Sequence, residues 1–339
     1  MPNRFDLRSL DVPVVVAPMA GGPSTPELAA AGTNAGGLGF IAAGYLSAQV
    51  LAERIVAARN LTSGPLGVNL FVPQPSAATP EAVEAYAATL APDAQRYGVE
   101  LGNPVFTDDD WAAKVELLLD VRPEVASFTF GLPSTQECQR LRDAGIATVA
   151  TVTSVGEADA AVGCGVDAVA VQGPAAGGHR GTFDPVAEPN PQPLDELLTA
   201  VVARVELPVV AAGGLMSGDD VSRVMGKGAV AAQLGTAFLL SDEAGSSPVH
   251  RKALQDPQFT ETRVTKAFSG RYARGLRNRF MDDHEAQAPF GYPEIHYLTG
   301  PLRAGSVRAG DPQGTNIWAG TGFKAIQPGS VADIIARIA

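Results

Sequence analysis

The residues with the clearest chemical potential are Gly177-Gly178-His179-Arg180-Gly181, a lone imidazole set among glycines. Glycines on either side let the backbone approach a ligand closely and leave the ring accessible. Free imidazole titrates near about 6.5, which suits it to proton transfer or to balancing an anion at neutral pH. An isolated histidine is more often an ordinary loop residue. Here the placement just past a buried apolar run, where a strand would end, favours a chemical role for His179. The other histidines, His250, His284 and His296, fall in a less regular stretch and read as surface or packing residues. No His-x-x-x-His pair or His/Asp/Glu cluster suggests a metal site, so none is expected.

A second set consists of glycines and amides at the ends of other apolar runs. Gly213-Gly214 and Gln233-Leu234-Gly235-Thr236 close two successive runs. Backbone N–H groups in such turns are free to cradle a phosphate. Asn69 and Gln172, each near the end of its own run, offer amides to the edge of an isoalloxazine ring or to a ribityl chain. Gly36-Gly37-Leu38-Gly39 precedes an apolar run instead of following one, so it fails the dinucleotide-binding context and reads as a turn.

These residues need a scaffold, and the sequence supplies a repeating one. Eight β-branched, nearly continuous apolar runs occur at 12–20, 38–44, 65–72, 124–131, 146–152, 166–173, 208–214 and 229–239. Continuous apolarity marks strands covered on both faces. Ala/Leu-rich stretches between them read as helices, with Ser24, Ser47, Ser134 and Ser154 as N-caps. Residues 73–123 exceed one crossover and predict two helices around a loop near 98–107. The alternation predicts an α/β protein, a (β/α)8 TIM barrel, whose active sites form at the C-terminal strand ends. Residues 241–304 break the rhythm: they show no buried strand, and five arginines lie between Arg263 and Arg279. We expect residues 1–240 and 305–339 to form the barrel. Residues 241–304 are expected to form a small, mainly helical subdomain over its mouth.

Composition narrows the function. Of 339 residues, 45% are hydrophobic, and the net charge is −11, so a large core is expected and a nucleic-acid partner is not. The arginine run reads as packing or subunit contact, which leaves room for a homodimer. Cys138 and Cys164 read as buried thiols in helical segments. The start, MPNRFDLRSLDV, is polar, and no apolar stretch reaches membrane-spanning length. The expected location is the cytoplasm, with no membrane partner.

Taken in order, APMAGGPSTPELAAAGTNAGGLGFIAAG, GVNLF, SFTFGLP, VQGPAAGGHRG, VVAAGGL, QLGTAFL, KAFSGRYARGLRNRF and IWAGTG resemble the FMN-dependent nitronate monooxygenases, formerly called 2-nitropropane dioxygenases. The likeness runs from about Ala17 to Gly322. It implies a flavoprotein barrel holding FMN at its strand ends. Its reaction would be oxidation of alkyl nitronates by O2 to a carbonyl compound plus nitrite, with propionate 3-nitronate as one substrate. Position by position, His179 matches the family's active-site histidine, acting as imidazolium toward a nitronate or as base toward a nitroalkane. Asn69, Gln172, Gly177, Gly214 and Gln233 to Thr236 match its FMN contacts. The chain departs from the pattern at Ala175, where a Glu is usual, at Thr129, where some members carry histidine, and at His250, where some carry tyrosine. Two rival functions are an FMN-dependent NAD(P)H:quinone or enoyl-thioester reductase of the same superfamily, and a flavin- or phosphate-binding barrel without turnover.

Overall fold

The computed structural model of the chain describes residues 4–339. Eight parallel strands alternate with helices: β1 Val14–Val16, β2 Gly39–Ala42, β3 Leu66–Phe71, β4 Val125–Thr129, β5 Ala147–Val152, β6 Ala168–Gln172, and, after a short β7 Gly178–His179, β8 Val209–Ala212 and β9 Ala231–Leu234. Their order is β1-β9-β8-β6-β5-β4-β3-β2, and parallel bridging of Val15 to Leu38 closes the first strand onto the second. This is the (β/α)8 barrel that the apolar runs predict. Val15, Phe40, Val149 and Val210 fill its interior, and Leu7 packs with the same cluster. A belt outside the strands joins Val16, Val169 and Leu234 to helix residues such as Leu198 and Ile335.

The local signals work as their chemistry requires. Ser47, Ser134 and Ser154 cap their helices, and Ser134 forms a reciprocal capping box with Glu137. Ser24 does not: Thr25 caps the helix Pro26–Asn34, followed by Pro26 in the first turn. The Ser24 hydroxyl instead accepts the N–H of Met19, 2.8 Å away. The eighth barrel strand stops at Leu234, and Thr236–Phe238 forms a 3-10 turn instead of more strand.

Two long segments differ from expectation. Residues 73–123 hold three helices, Pro80–Thr89, Ala91–Tyr97 and Trp111–Val121. The last packs Val115 and Leu118 on the barrel. Pro80–Thr89 instead sends Val83 and Tyr86 into a cluster with Phe268, Phe280 and Ile295. The stretch after β9 contains two strands as well as helices. β10 Thr262–Thr265 pairs antiparallel with β11 Ala273–Leu276, and β11 pairs with β7. Their sequences, TRVT and ARGL, carry no apolar run: β10 is mostly half-exposed, as an antiparallel strand can be, and in the largely buried β11 an arginine and a glycine interrupt the apolar residues. The helices Pro248–Gln255, Arg279–His284 and Glu294–Arg308 complete the stretch. Within the arginine run, Arg277 pairs with Asp282 and Glu261, and Arg279 with Asp93 and Asp283. Both cysteines are buried in helices, as expected.

Candidate active site

The strand ends open into a cavity of about 450 Å³. His179, Asn69, Gln172, Gly177, Gly178, Gly213, Gly214, Gln233, Leu234, Gly235 and Thr236 all line it. Residues spread over 168 positions of chain thus converge because the barrel gathers its strand ends at one rim.

The glycines are required by geometry. Gly214 has φ +78°, and a Cβ there would sit 2.8 Å from the Cβ of Ala175. A Cβ on Gly177 would meet the backbone of Ala319 and Gly320 at 2.5 Å. The loop after β6 therefore lies directly against the segment 319–320, which the Gly320 N–H ties to Thr236 Oγ1 at 2.9 Å.

The amides divide their work. Asn69 Nδ2 donates to Ser127 Oγ at 2.9 Å and to Thr129 Oγ1 at 3.1 Å, which orients the side chain and leaves Oδ1 as acceptor. Gln172 is already engaged at both ends: Nε2 donates to the His179 carbonyl and Oε1 accepts the Gly181 N–H. It pins the histidine loop. Gln233 faces the cavity, and among the described residues none hydrogen-bonds its side chain.

His179 lies in β7, held between Gln172 and β11. Its Nε2 is 2.8 Å from Ser269 Oγ, and that hydroxyl donates to the Arg271 carbonyl. The network assigns the ring proton to Nε2 and leaves the Nδ1 lone pair free. Phe130, Tyr292 and Trp318 surround the ring at centroid distances of 5.6–5.7 Å. Burial among them, with the positive charges of Arg271 and Arg303, pulls its pKa from 6.5 down to about 3. His179 is neutral at pH 7.

Several cavity residues escaped the sequence reading. His250 and His296, expected on the surface or in packing, both line the cavity. His250 bonds through Nε2 to the Trp318 carbonyl, and burial lowers its pKa to about 4. His296 stacks flat on Tyr45 at 4.0 Å. His284 is a packing residue, its Nε2 2.7 Å from Asp93. Arg303 also lines the cavity and donates to Thr299, Asn316 and the His296 carbonyl. Arg271 lies beneath the site, over the Phe130 ring and bonded to Gln74. Among the described residues neither arginine has a carboxylate partner within 4 Å. A usable signal did exist for part of the set: His296, Gly300 and Arg303 recur at the spacing of one helical face, that of the helix Glu294–Arg308.

A large strand-end cavity with glycine turns, oriented amides and the Arg303 guanidinium places the molecule among (β/α)8-barrel enzymes. Comparison with known proteins makes the assignment specific. The nitronate monooxygenase family profile matches residues 6–339. A probable nitronate monooxygenase of Staphylococcus aureus strain MSSA476 is 39% identical over 328 residues, covering 94% of this chain and 91% of the relative. The solved nitroalkane oxidase from Streptomyces ansochromogenes superposes with a TM-score of 0.94 at 46% identity, covering 97% of this chain and 95% of that one. FabK from Thermotoga maritima superposes at 0.73 with 27% identity, covering 98% and 93%. The chain belongs to the nitronate monooxygenase family, a family of FMN-dependent oxidoreductases.

Proposed function

We propose that this protein binds FMN in the strand-end cavity and oxidises alkyl nitronates with O2 to a carbonyl compound plus nitrite, propionate 3-nitronate among them. The observation that carries the reading is the charge of the cavity. Arg303 lines it without a carboxylate partner among the described residues, and Arg271 adds positive charge from beneath Phe130, beside a neutral His179 in a chain of net charge −11, so the site selects for a small anion. The aromatic wall of Phe130, Tyr292 and Trp318 suits the planar head of a nitronate.

The residues fit the cofactor as well. Gly213, Gly214, Gly235 and Thr236 offer turn backbone to the phosphate, and Gly177 and Gly178 keep the opposite loop low. Asn69 Oδ1 and the Gln233 amide would hydrogen-bond the flavin, and Gln172 and Leu234 line the same cavity. Bound there, FMN supplies the electron acceptor that passes reducing equivalents to O2. His179 presents Nδ1 to the substrate. On a neutral nitroalkane it takes the α-proton; toward a preformed nitronate the balancing charge comes from Arg303, with Arg271 contributing from beneath Phe130, not from an imidazolium. Residues 241–304 act as the cover that dries the mouth and brings Ser269 and His296 to it.

The test is anaerobic stopped-flow reduction of the purified yellow protein. Bleaching by ethylnitronate but not by NADH supports the reading. Fast bleaching by NADH alone would instead make it a reductase, and no bleaching by either would make it a binding barrel.

A further inference from the structure

The large cavity shares a wall with a smaller one of about 30 Å³. Tyr45, Phe71 and Phe130 line both, and Val72, Pro73 and Pro293 line the side cavity alone. Of these rings Tyr45 is the most elaborately held. Its backbone is left-handed, φ +68°, a conformation disfavoured for any residue with a side chain. Its N–H donates to Asp109 Oδ1 at 2.9 Å, and the other Asp109 oxygen lies 2.7 Å from Lys114 Nζ. That ammonium, only 1% exposed, also donates to the Ala43 carbonyl at 3.0 Å. A buried ion pair is a poor source of stability, so what it orients matters more than what it adds. Here it grips the chain at residue 43 and at residue 45 and fixes a ring that faces the cavity.

The path from His179 to that ring is aromatic throughout. Phe130 lies 5.7 Å from His179, Phe71 lies 4.6 Å from Phe130, and Tyr45 lies 5.6 Å from Phe71, centroid to centroid. An alkyl tail whose charged head sits at His179 has apolar surface along this path and meets Tyr45 at its end.

We propose that Tyr45 is a specificity-determining residue that limits the length of the substrate's alkyl chain by closing the large cavity off from the side cavity. Asp109 and Lys114 are the positioning residues that hold it there. The inference rests on the reading that the large cavity takes nitronates.

Tyr45→Gly is the informative variant, because glycine accepts φ +68° and the ring is lost without added backbone strain. Ethyl-, butyl- and hexylnitronate are compared by kcat/KM in FMN-loaded protein. Each newly buried methylene is worth about fourfold. Opening the side cavity therefore raises the hexyl-to-ethyl ratio by about tenfold or more. Lys114→Met shifts the same ratio in the same direction by a smaller factor, and an unshifted ratio in that variant would overturn the positioning role. A second readout does not depend on turnover: calorimetric binding of butanoate and octanoate, planar monoanions like the nitronate head. Their affinity ratio moves toward octanoate by about tenfold in Tyr45→Gly. Unchanged ratios in both measurements would overturn the proposal. Wild-type protein inert to every nitronate would refute the functional reading, and the alkanoate ratio would still decide the role of Tyr45.

Discussion

Replacing His179 by Asn separates the two tasks a cavity histidine can perform. Asparagine removes the basic nitrogen; its amide ends near the position of Nδ1, so the contact of Nε2 with Ser269 is lost as well. With a pKa pulled down to about 3, His179 is almost wholly unprotonated at pH 7, so it is available as a base but is a weak one. Losing a general base costs about 10²–10⁴-fold, and a base this weak accepts less of the proton in the transition state. The expected loss on nitroethane is therefore at the lower end, about 10²-fold in kcat/KM. Ethylnitronate has already lost that proton and draws no charge from a neutral ring, so its loss stays within about threefold. The wild-type rate on nitroethane is flat from pH 6 to 8 so far as His179 is concerned, because its titration lies well below that range. The assay is O2 uptake on both substrates at matched FMN occupancy, with Tm recorded for each variant. Equal losses on the two substrates would refute the base assignment, and no loss on either would return His179 to an ordinary loop residue.

Three further outcomes follow from the same geometry. Gly214→Val forces a branched side chain onto φ +78° and against Ala175; it lowers FMN affinity at least about tenfold by fluorescence titration while the far-ultraviolet dichroism stays native, and undiminished affinity would contradict the phosphate placement. Arg303→Met removes an unpaired charge from the cavity; KM for ethylnitronate rises about tenfold or more with kcat little changed, and His179 becomes more basic because a positive neighbour is gone. His179 and His250 both titrate below the ordinary 6.5 in the folded chain, at about 3 and about 4, so the unfolded chain binds more protons as the pH falls between those limits. Stability is then fully present above about pH 6.5 and declines from there toward pH 4; a Tm independent of pH over that window would show that neither ring is held neutral.

The barrel was legible because parallel strands covered on both faces must be apolar along their whole length, and eight such runs stand out. That the strand-end glycines and amides share one cavity was legible for a related reason: the fold itself dictates at which end of each run residues converge. Ser24 misled because Thr25, beside it, is an equally good cap and precedes the proline. β10 was hidden because its half-exposed residues leave no apolar run, β11 because Arg274 and Gly275 interrupt it, and β7 because two residues carry no pattern at all. Tyr45 meets His296 and Arg303 only through packing between segments some 250 residues apart; local spacing puts His296 and Arg303 on one helical face but does not say what that face covers. The depressed pKa of His179 belongs to the same class, since Arg271 and Arg303 act on it across the fold.

The most direct test of the central claim is product formation by the purified, FMN-loaded protein given ethylnitronate in air. The account predicts O2 uptake with nitrite and acetaldehyde released in a one-to-one ratio, without any added nicotinamide. O2-independent turnover that requires NADH, or consumption of the nitronate without nitrite, would contradict it.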